Sequence, residues 1–253
     1  MKKILFYLGL IVIWVLIYEI GVNILHIWKP YIFPTPLGVL QTIGKLIANG
    51  SMGIGILVTL QRVVGGYLLS MVIGVGIGLL TTRFKGLGKQ ISSFILGLQT
   101  LPSICWLPFA VLWFGIGESA ILFVVVIGST FAIAIAVQDG IRNINPLYLR
   151  AAHTMGAKGV PYYRDIVFPA SLPTLISGLK QGWSFAWRAL MAGEMLSATK
   201  GLGVILMQGR DFADINQVMA MMIVIVVLGL LIDKLVFGRA EKSVRRRWGL
   251  DRA

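Results

Sequence analysis

Charge is scarce in this chain. Asp, Glu, Lys and Arg together make up 13% of 253 residues, hydrophobic residues make up 57%, and the mean hydropathy is +0.85. So little polar surface excludes a soluble globule and leaves an integral membrane protein. Acidic residues are the scarcest charge: 10 stand against 23 Lys and Arg, for a formal net charge of +13. Nucleic acid would need those cations gathered on a soluble face, but here they lie between apolar runs, as membrane orientation requires. A single cysteine, Cys105, sits inside an apolar run, so there is no disulfide framework. His26 and His153 are isolated from each other and from any cluster of carboxylates, which leaves no metal site and no catalytic constellation. No Gly-x-x-x-x-Gly-Lys-Ser/Thr occurs, so the chain lacks the loop that cradles nucleotide phosphates and binds no cofactor of that kind itself.

What is abundant is length of apolar sequence. Runs at 4–25, 63–82, 91–114, 119–138, 172–193 and 218–237 each approach the ~20 residues that cross a bilayer, which predicts about six transmembrane helices. The first run is too long for a signal-peptide core and has no small-residue cleavage site, so it is expected to be retained. With the amino terminus inside, inner segments hold 16 of the 23 Lys and Arg. The outer segments hold five: Lys29, Lys45, Arg62, Lys200 and Arg210. The positive-inside rule then places both termini in the cytoplasm. The tail with Arg245, Arg246 and Arg247 lies there too, read either as part of a surface facing a cytoplasmic partner or as an anchor to anionic lipid.

Two polar segments interrupt the apolar pattern. Between the first two runs, Thr35 can cap and Pro36 can start a helix that puts Leu40, Ile43, Leu46 and Ile47 on one face. Such a helix would lie in the outer interface, the alternative being a connecting loop. The second segment is LRAAHTMGAKGVPYYRDIVFPASLP, residues 149–173. Asn145 caps a helix that Pro146 starts, Leu149, Ala152 and Met155 give it an apolar face, and Gly156 stops it. Another helical turn follows from about Pro161, and Pro169 and Pro173 close the insert. A compact helix pair on one membrane face suits docking to another protein.

This segment resembles the cytoplasmic coupling motif of ATP-binding-cassette (ABC) importer permeases: Glu-Ala-Ala, three residues, Gly, nine residues, Ile-x-Leu-Pro. Arg150, Ala151, Ala152, Gly156, Ile166, Phe168 and Pro169 fill those places with the spacing intact. Arg150 stands in place of the family Glu and Phe168 in place of Leu, so the resemblance implies ATPase docking without the usual salt bridge. The Phe33-Pro34-Thr35-Pro36 entry is similar to the nitrate, sulfonate, taurine and bicarbonate branch of these permeases. So are the run from Pro102 through Pro108 to Glu118 and the string from Trp187 to Glu194.

Two spans carry unusual chemistry. The third contains Pro102 and Pro108, each of which removes a helical hydrogen bond. A broken helix survives in a membrane only when buried in protein or lining a cavity, so this is a pathway wall or a packing kink. The fifth holds Arg188 mid-span, where a cation costs about 2.5 kcal/mol or more to insert. Either Trp183, Trp187 and Arg188 line a path for an anion, or Arg188 ties to Glu194, nearly two turns further on. Gly74, Gly76 and Gly78 predict close helix packing in the second span.

The expected protein is therefore an all-α integral membrane protein. The resemblance implies a type I ABC importer, MetI-like permease fold. Residues 1–62 would form an amino-terminal helix and outer interfacial helix, and residues 63–237 a core permease with the coupling insert 139–171. Residues 238–253 would form a basic cytoplasmic tail. The resemblance also implies a homodimer in a bacterial plasma membrane, partnered by two ATPase subunits that use ATP and Mg and by an extracytoplasmic substrate-binding protein. The expected cargo is a small anion of the alkanesulfonate, taurine, nitrate or bicarbonate class, translocated past Arg188, Trp183, Trp187, Glu194, Pro102 and Pro108. The alternatives are a non-anionic cargo such as a pyrimidine or vitamin precursor, or a secondary transporter or channel. Against the last stand the lack of inverted repeats and of an intramembrane chain of carboxylates.

Overall fold

The computed structural model describes residues 2–29 and 31–247, and all regular structure among them is helical. Helix α1 (Lys2–Tyr18) continues through a π-helical stretch, Glu19–Ile24, and α2 (Pro36–Ala48) follows. Next come α3 (Ser51–Arg83), α4 (Lys85–Gln99), α5 (Leu107–Phe114) and α6 (Glu118–Arg142). The insert supplies α7 (Pro146–Thr154) and α8 (Gly159–Tyr162), which runs through a π stretch, Tyr163–Val167, into α9 (Phe168–Ser197). The last three are α10 (Leu202–Asp211), α11 (Ile215–Ile232) and α12 (Gly238–Arg247).

Three of these elements are long and apolar enough to cross a membrane: Ser51–Arg83, Glu118–Arg142 and Ile215–Arg246. A fourth candidate is the pair Gly88–Gln99 and Ser103–Phe114, bent by 95° at its break. α9 is 30 residues long, about 45 Å, but its charges at Lys180, Arg188 and Glu194 dilute its hydropathy. Together with α1, these elements match the six apolar runs of the sequence. One boundary differs: α3 begins at Ser51, twelve residues before the expected start of the second span. Arg62 is therefore a helix residue, 5% exposed and bonded by its guanidinium to both oxygens of Glu118, the Nε contact being 2.6 Å. A loop cation was expected there because the partner lies 56 residues away in sequence.

The chain forms two compact units, Met1–Leu60 with Glu194–Leu228, and Gln61–Gly193 with Gly229–Ala253. The second is organised around α6, most of whose inner residues are fully buried. Lipid tails are as apolar as Leu, so burial alone does not hold membrane helices together; close approach does. On α3 a small-residue stripe at four-residue steps, Gly66, Ser70, Gly74 and Gly78, meets α6. A side chain at Gly74 would come within 2.8 Å of the Thr130 carbonyl, and one at Gly78 within 2.6 Å of Val137. Ser129 Oγ on α6 lies 2.6 Å from Ser70 Oγ in the same seam. Gly76, expected in this packing, faces open space. From the other side α9 presents Gly178 and Gly182, the latter against Ile133. Leu107, Ala110, Ala120, Val124 and Ala189 complete the core where α5, α6 and α9 meet.

The first unit buries Leu46, Leu202, Ile205 and Met221. The helix expected after Thr35 forms: Thr35 Oγ1 accepts from the Gly38 amide at 3.0 Å, and Pro36 opens α2. The Thr35 amide donates to Asn216 Oδ1 at 3.1 Å, which pins α2 to α11. Val39 and Leu46 are buried against the rest of the unit, whereas Leu40 and Ile47 of the apolar face are exposed.

Candidate translocation and coupling sites

The break between α4 and α5 creates the first site. Pro102 has no amide donor and sits in extended backbone, so α4 ends at Gln99 and a 3₁₀ turn, Ser103–Trp106, restarts the chain. Pro108 falls in the first turn of α5, where a missing donor does no harm. Beside the break lies a cavity of about 370 Å³ whose wall includes Gln99, Thr100, Pro102, Ser103, Phe185 and Arg188. Among the described residues Arg188 is its only charged lining residue. The guanidinium carbon stands 4.7 Å from the Phe185 ring centre, a cation–π contact, and Nε donates to the Ser184 carbonyl at 3.1 Å. The residue is exposed and lines the open space.

The structure brings Arg188 and Pro102 together but takes the tryptophans elsewhere. Trp183 is 6% exposed and packs edge-on against Tyr67 at 5.2 Å and at a tilt against Phe237 at 5.9 Å. Trp187 stacks beside it at 6.4 Å. Five residues separate Trp183 from Arg188, about 140° around the helix, so they face different sides. Neither tryptophan nor Pro108 lines this cavity. Phe185, Gln99, Thr100 and Ser103 escaped the sequence reading. The three-residue step from Phe185 to Arg188 was the available signal for the first.

Glu194 belongs to the other compact unit and is 1% exposed. Both carboxylate oxygens lie 2.9 Å from Thr59 Oγ1, and one also accepts from the Gly203 amide at 3.0 Å. Thr59 Oγ1 in turn accepts from the Leu202 amide at 3.0 Å. The pair thus satisfies two of the orphan donors at the start of α10, a cap built from residues outside the helix, with the helix dipole favouring the negative charge. Gly201 has φ +137°, and a side chain there would meet the Glu194 carboxylate at 2.5 Å.

The insert is the second site. Asn145 Oδ1 accepts from the Leu147 amide at 2.9 Å and Pro146 starts α7, as the sequence implies. Gly156 takes φ +80°, and the Ala157 amide reaches back to the Ala152 carbonyl at 3.0 Å, closing a left-handed helix stop that favours glycine. Of the motif residues, Ala152 is buried, Ile166 and Pro169 are half-buried, and Arg150, Ala151, Gly156 and Phe168 are exposed. Met155 leaves the predicted packed face and is 86% exposed, near Val160 in sequence at 77%. Pro169 cannot donate a helical bond, and the π stretch just before it, closed by the Phe168 amide on the Tyr163 carbonyl, absorbs the mismatch. The insert is thus carried on α9, the helix that also bears Arg188.

Residues 70–247 match the family described as the binding-protein-dependent transport system inner membrane component. A Methanocaldococcus jannaschii protein named as an ABC transporter permease is 30% identical over 215 residues, covering 83% of this chain and 80% of its own. A protein of Escherichia coli strain K12 named as an aliphatic sulfonates transport permease is 29% identical, over 89% of this chain and 84% of its own. The nitrate import permease protein of Synechococcus elongatus is 30% identical, over 87% and 78%. Among solved structures, a chain of the MetNI methionine ABC transporter in an inward-facing form aligns with a TM-score of 0.65 at 23% identity, covering 75% of this chain and 94% of that one. That likeness establishes the type I importer, MetI-like fold. With the family match spanning well over half its length, the chain belongs to the inner-membrane permease components of binding-protein-dependent ABC transport systems.

Proposed function

We propose that this permease subunit imports a small anion as a homodimer, with Arg188 as the group that the anion meets inside the membrane. The observation that carries the reading is the position of Arg188: an exposed guanidinium at the wall of a cavity beside a broken helix. A cation held there by one ring and one carbonyl offers a planar fork to oxygens of a sulfonate or nitrate. Relatives named for sulfonates and nitrate support the same cargo class. An extracytoplasmic binding protein would deliver the solute, and two ATPase subunits would dock on the insert around Arg150, Ala152 and Gly156. Closure of those subunits on ATP would tilt the insert and open the path alternately to each side. No group in this chain hydrolyses nucleotide in this scheme, and ATP and Mg belong to the partner. Both termini would be cytoplasmic, since removing Arg62 from the outer loops leaves the basic asymmetry stronger still.

The test is uptake per assembled complex in Arg188→Gln and Arg188→Lys, with assembly measured by ATPase co-purification. Arg188→Gln should lower uptake at least tenfold with assembly unchanged, and Arg188→Lys should recover only part, because a point charge cannot copy the fork. Unchanged uptake per complex in Arg188→Gln removes the anion role.

A further inference from the structure

The carboxy-terminal helix carries a charge pattern that transport through the cavity does not use. α11, its π-helical continuation Asp233–Phe237 and α12 follow without interruption, one helical run from Ile215 to Arg246. Its unbroken apolar part ends at Asp233 and Lys234. α12 therefore begins where hydrocarbon gives way to headgroups.

The helix has two unlike faces. Phe237 and Val244 are buried, and Gly238, Ala240 and Glu241 are half-buried beside them. Opposite stand Arg239, Lys242, Ser243 and Arg246, all exposed. At 100° per residue the three cations fall within an arc of about 60° and rise over roughly 10 Å. The acids nearby do not cancel them. Asp233 is paired with Lys180 of α9 at 3.2 Å, and Glu241 sits between Lys180 at 4.0 Å and Arg245 at 3.5 Å. Those pairs lie on the packed side and leave the outer strip wholly cationic.

We propose that this strip is a docking face for anionic phospholipid headgroups. Charge sign, depth relative to the apolar run and the linear arrangement agree on that occupant. Lipid phosphates at the hydrocarbon edge present a sheet of negative charge at the level where the strip emerges. Long Arg and Lys stems can lie along the helix and still reach that layer. Through Lys180, bound headgroups would also steady the helix that carries Arg188 eight residues further on.

The experiment uses the intact permease in mild detergent, equilibrated with equal phosphatidylglycerol and phosphatidylcholine, and counts retained lipids by native mass spectrometry. The wild type should retain phosphatidylglycerol in excess by about tenfold. The triple variant R239Q/K242Q/R246Q should fall to near parity, while R239K/R246K keeps the wild-type ratio. A triple variant with the wild-type preference overturns the proposal, and loss of ATPase co-purification alongside would mark the strip as a protein contact instead. Should the triple variant not fold, a fluorophore on Ser243→Cys in a Cys105→Ser background reads the unaltered cations. Brominated phosphatidylglycerol should quench it more than brominated phosphatidylcholine, and added salt should erase the difference. Equal quenching by the two lipids at low salt also overturns the proposal.

Discussion

Arg188 and Glu194 stand six residues apart on one helix, and the protein treats them in opposite ways. Glu194 is sealed from solvent and accepts bonds from a hydroxyl and a backbone amide that also organise the next helix. Arg188 rests on one ring and one carbonyl and lines open space. A charge with satisfied partners is part of the architecture, whereas a charge held in place but left unsatisfied is available for a ligand. Sequence distance says nothing about which is which.

The contrast can be broken by measurement, and the largest effect is expected at Glu194. Glu194→Ala strands the donors of Thr59 and Gly203 in a buried site, which should cost about 3–5 kcal/mol and lower the thermal midpoint in micelles by about 10 °C. An unchanged midpoint would mean that the carboxylate is no cap. Gly201→Ala should act through the same site with a smaller effect, about 1–3 kcal/mol, because a β-carbon at φ +137° is strained and points at the carboxylate. Pairing it with Glu194→Ala should give less than the sum of the two losses, since the clash disappears with the side chain. Arg188→Met should be the mildest, within about 0.5 kcal/mol of wild type, as expected for an exposed side chain in no buried network. A large loss of folded protein in Arg188→Met would erase the distinction and make both charges structural.

Local chemistry carried much of this fold into the sequence. Asn145 with Pro146, Thr35 with Pro36, the stop at Gly156 and the break at Pro102 all act within a few residues, and each is visible as a capping or proline rule. What escaped depends on partners far away in the chain. Arg62 reads as a loop cation until Glu118 arrives from 56 residues on. Glu194 reads as a path residue until Thr59, 135 residues before it, turns out to be its partner. Trp183, expected beside Arg188, lies on another side of α9. The helical wheel separates it from Arg188 by about 140°, and Ser177, Gln181, Ser184 and Arg188 form an exposed polar stripe on α9 that leaves Trp183 on another side. Gly76 fails for the same reason, since Gly66, Ser70, Gly74 and Gly78 share the seam at four-residue steps and it does not.

The π stretch at Tyr163–Val167 joins the insert and α9 into one nearly continuous rod, and that has a mechanical consequence. From Gly159 to Arg188 the axial rise is about 44 Å. Turned by about 10° about the insert together with the α6 it is clamped to, the rod would sweep the guanidinium through roughly 8 Å over that arm, more than the width of a small oxyanion. The prolines set how faithfully such a tilt travels. Pro169 and Pro173 leave carbonyls without helical donors in the first turns of the rod, where bending is cheapest, while Gly178 and Gly182 clamp the remainder to α6. The rod is thus compliant at the end that would be pushed and stiff at the end that would do the moving, like a key with a flexible bow and a rigid blade.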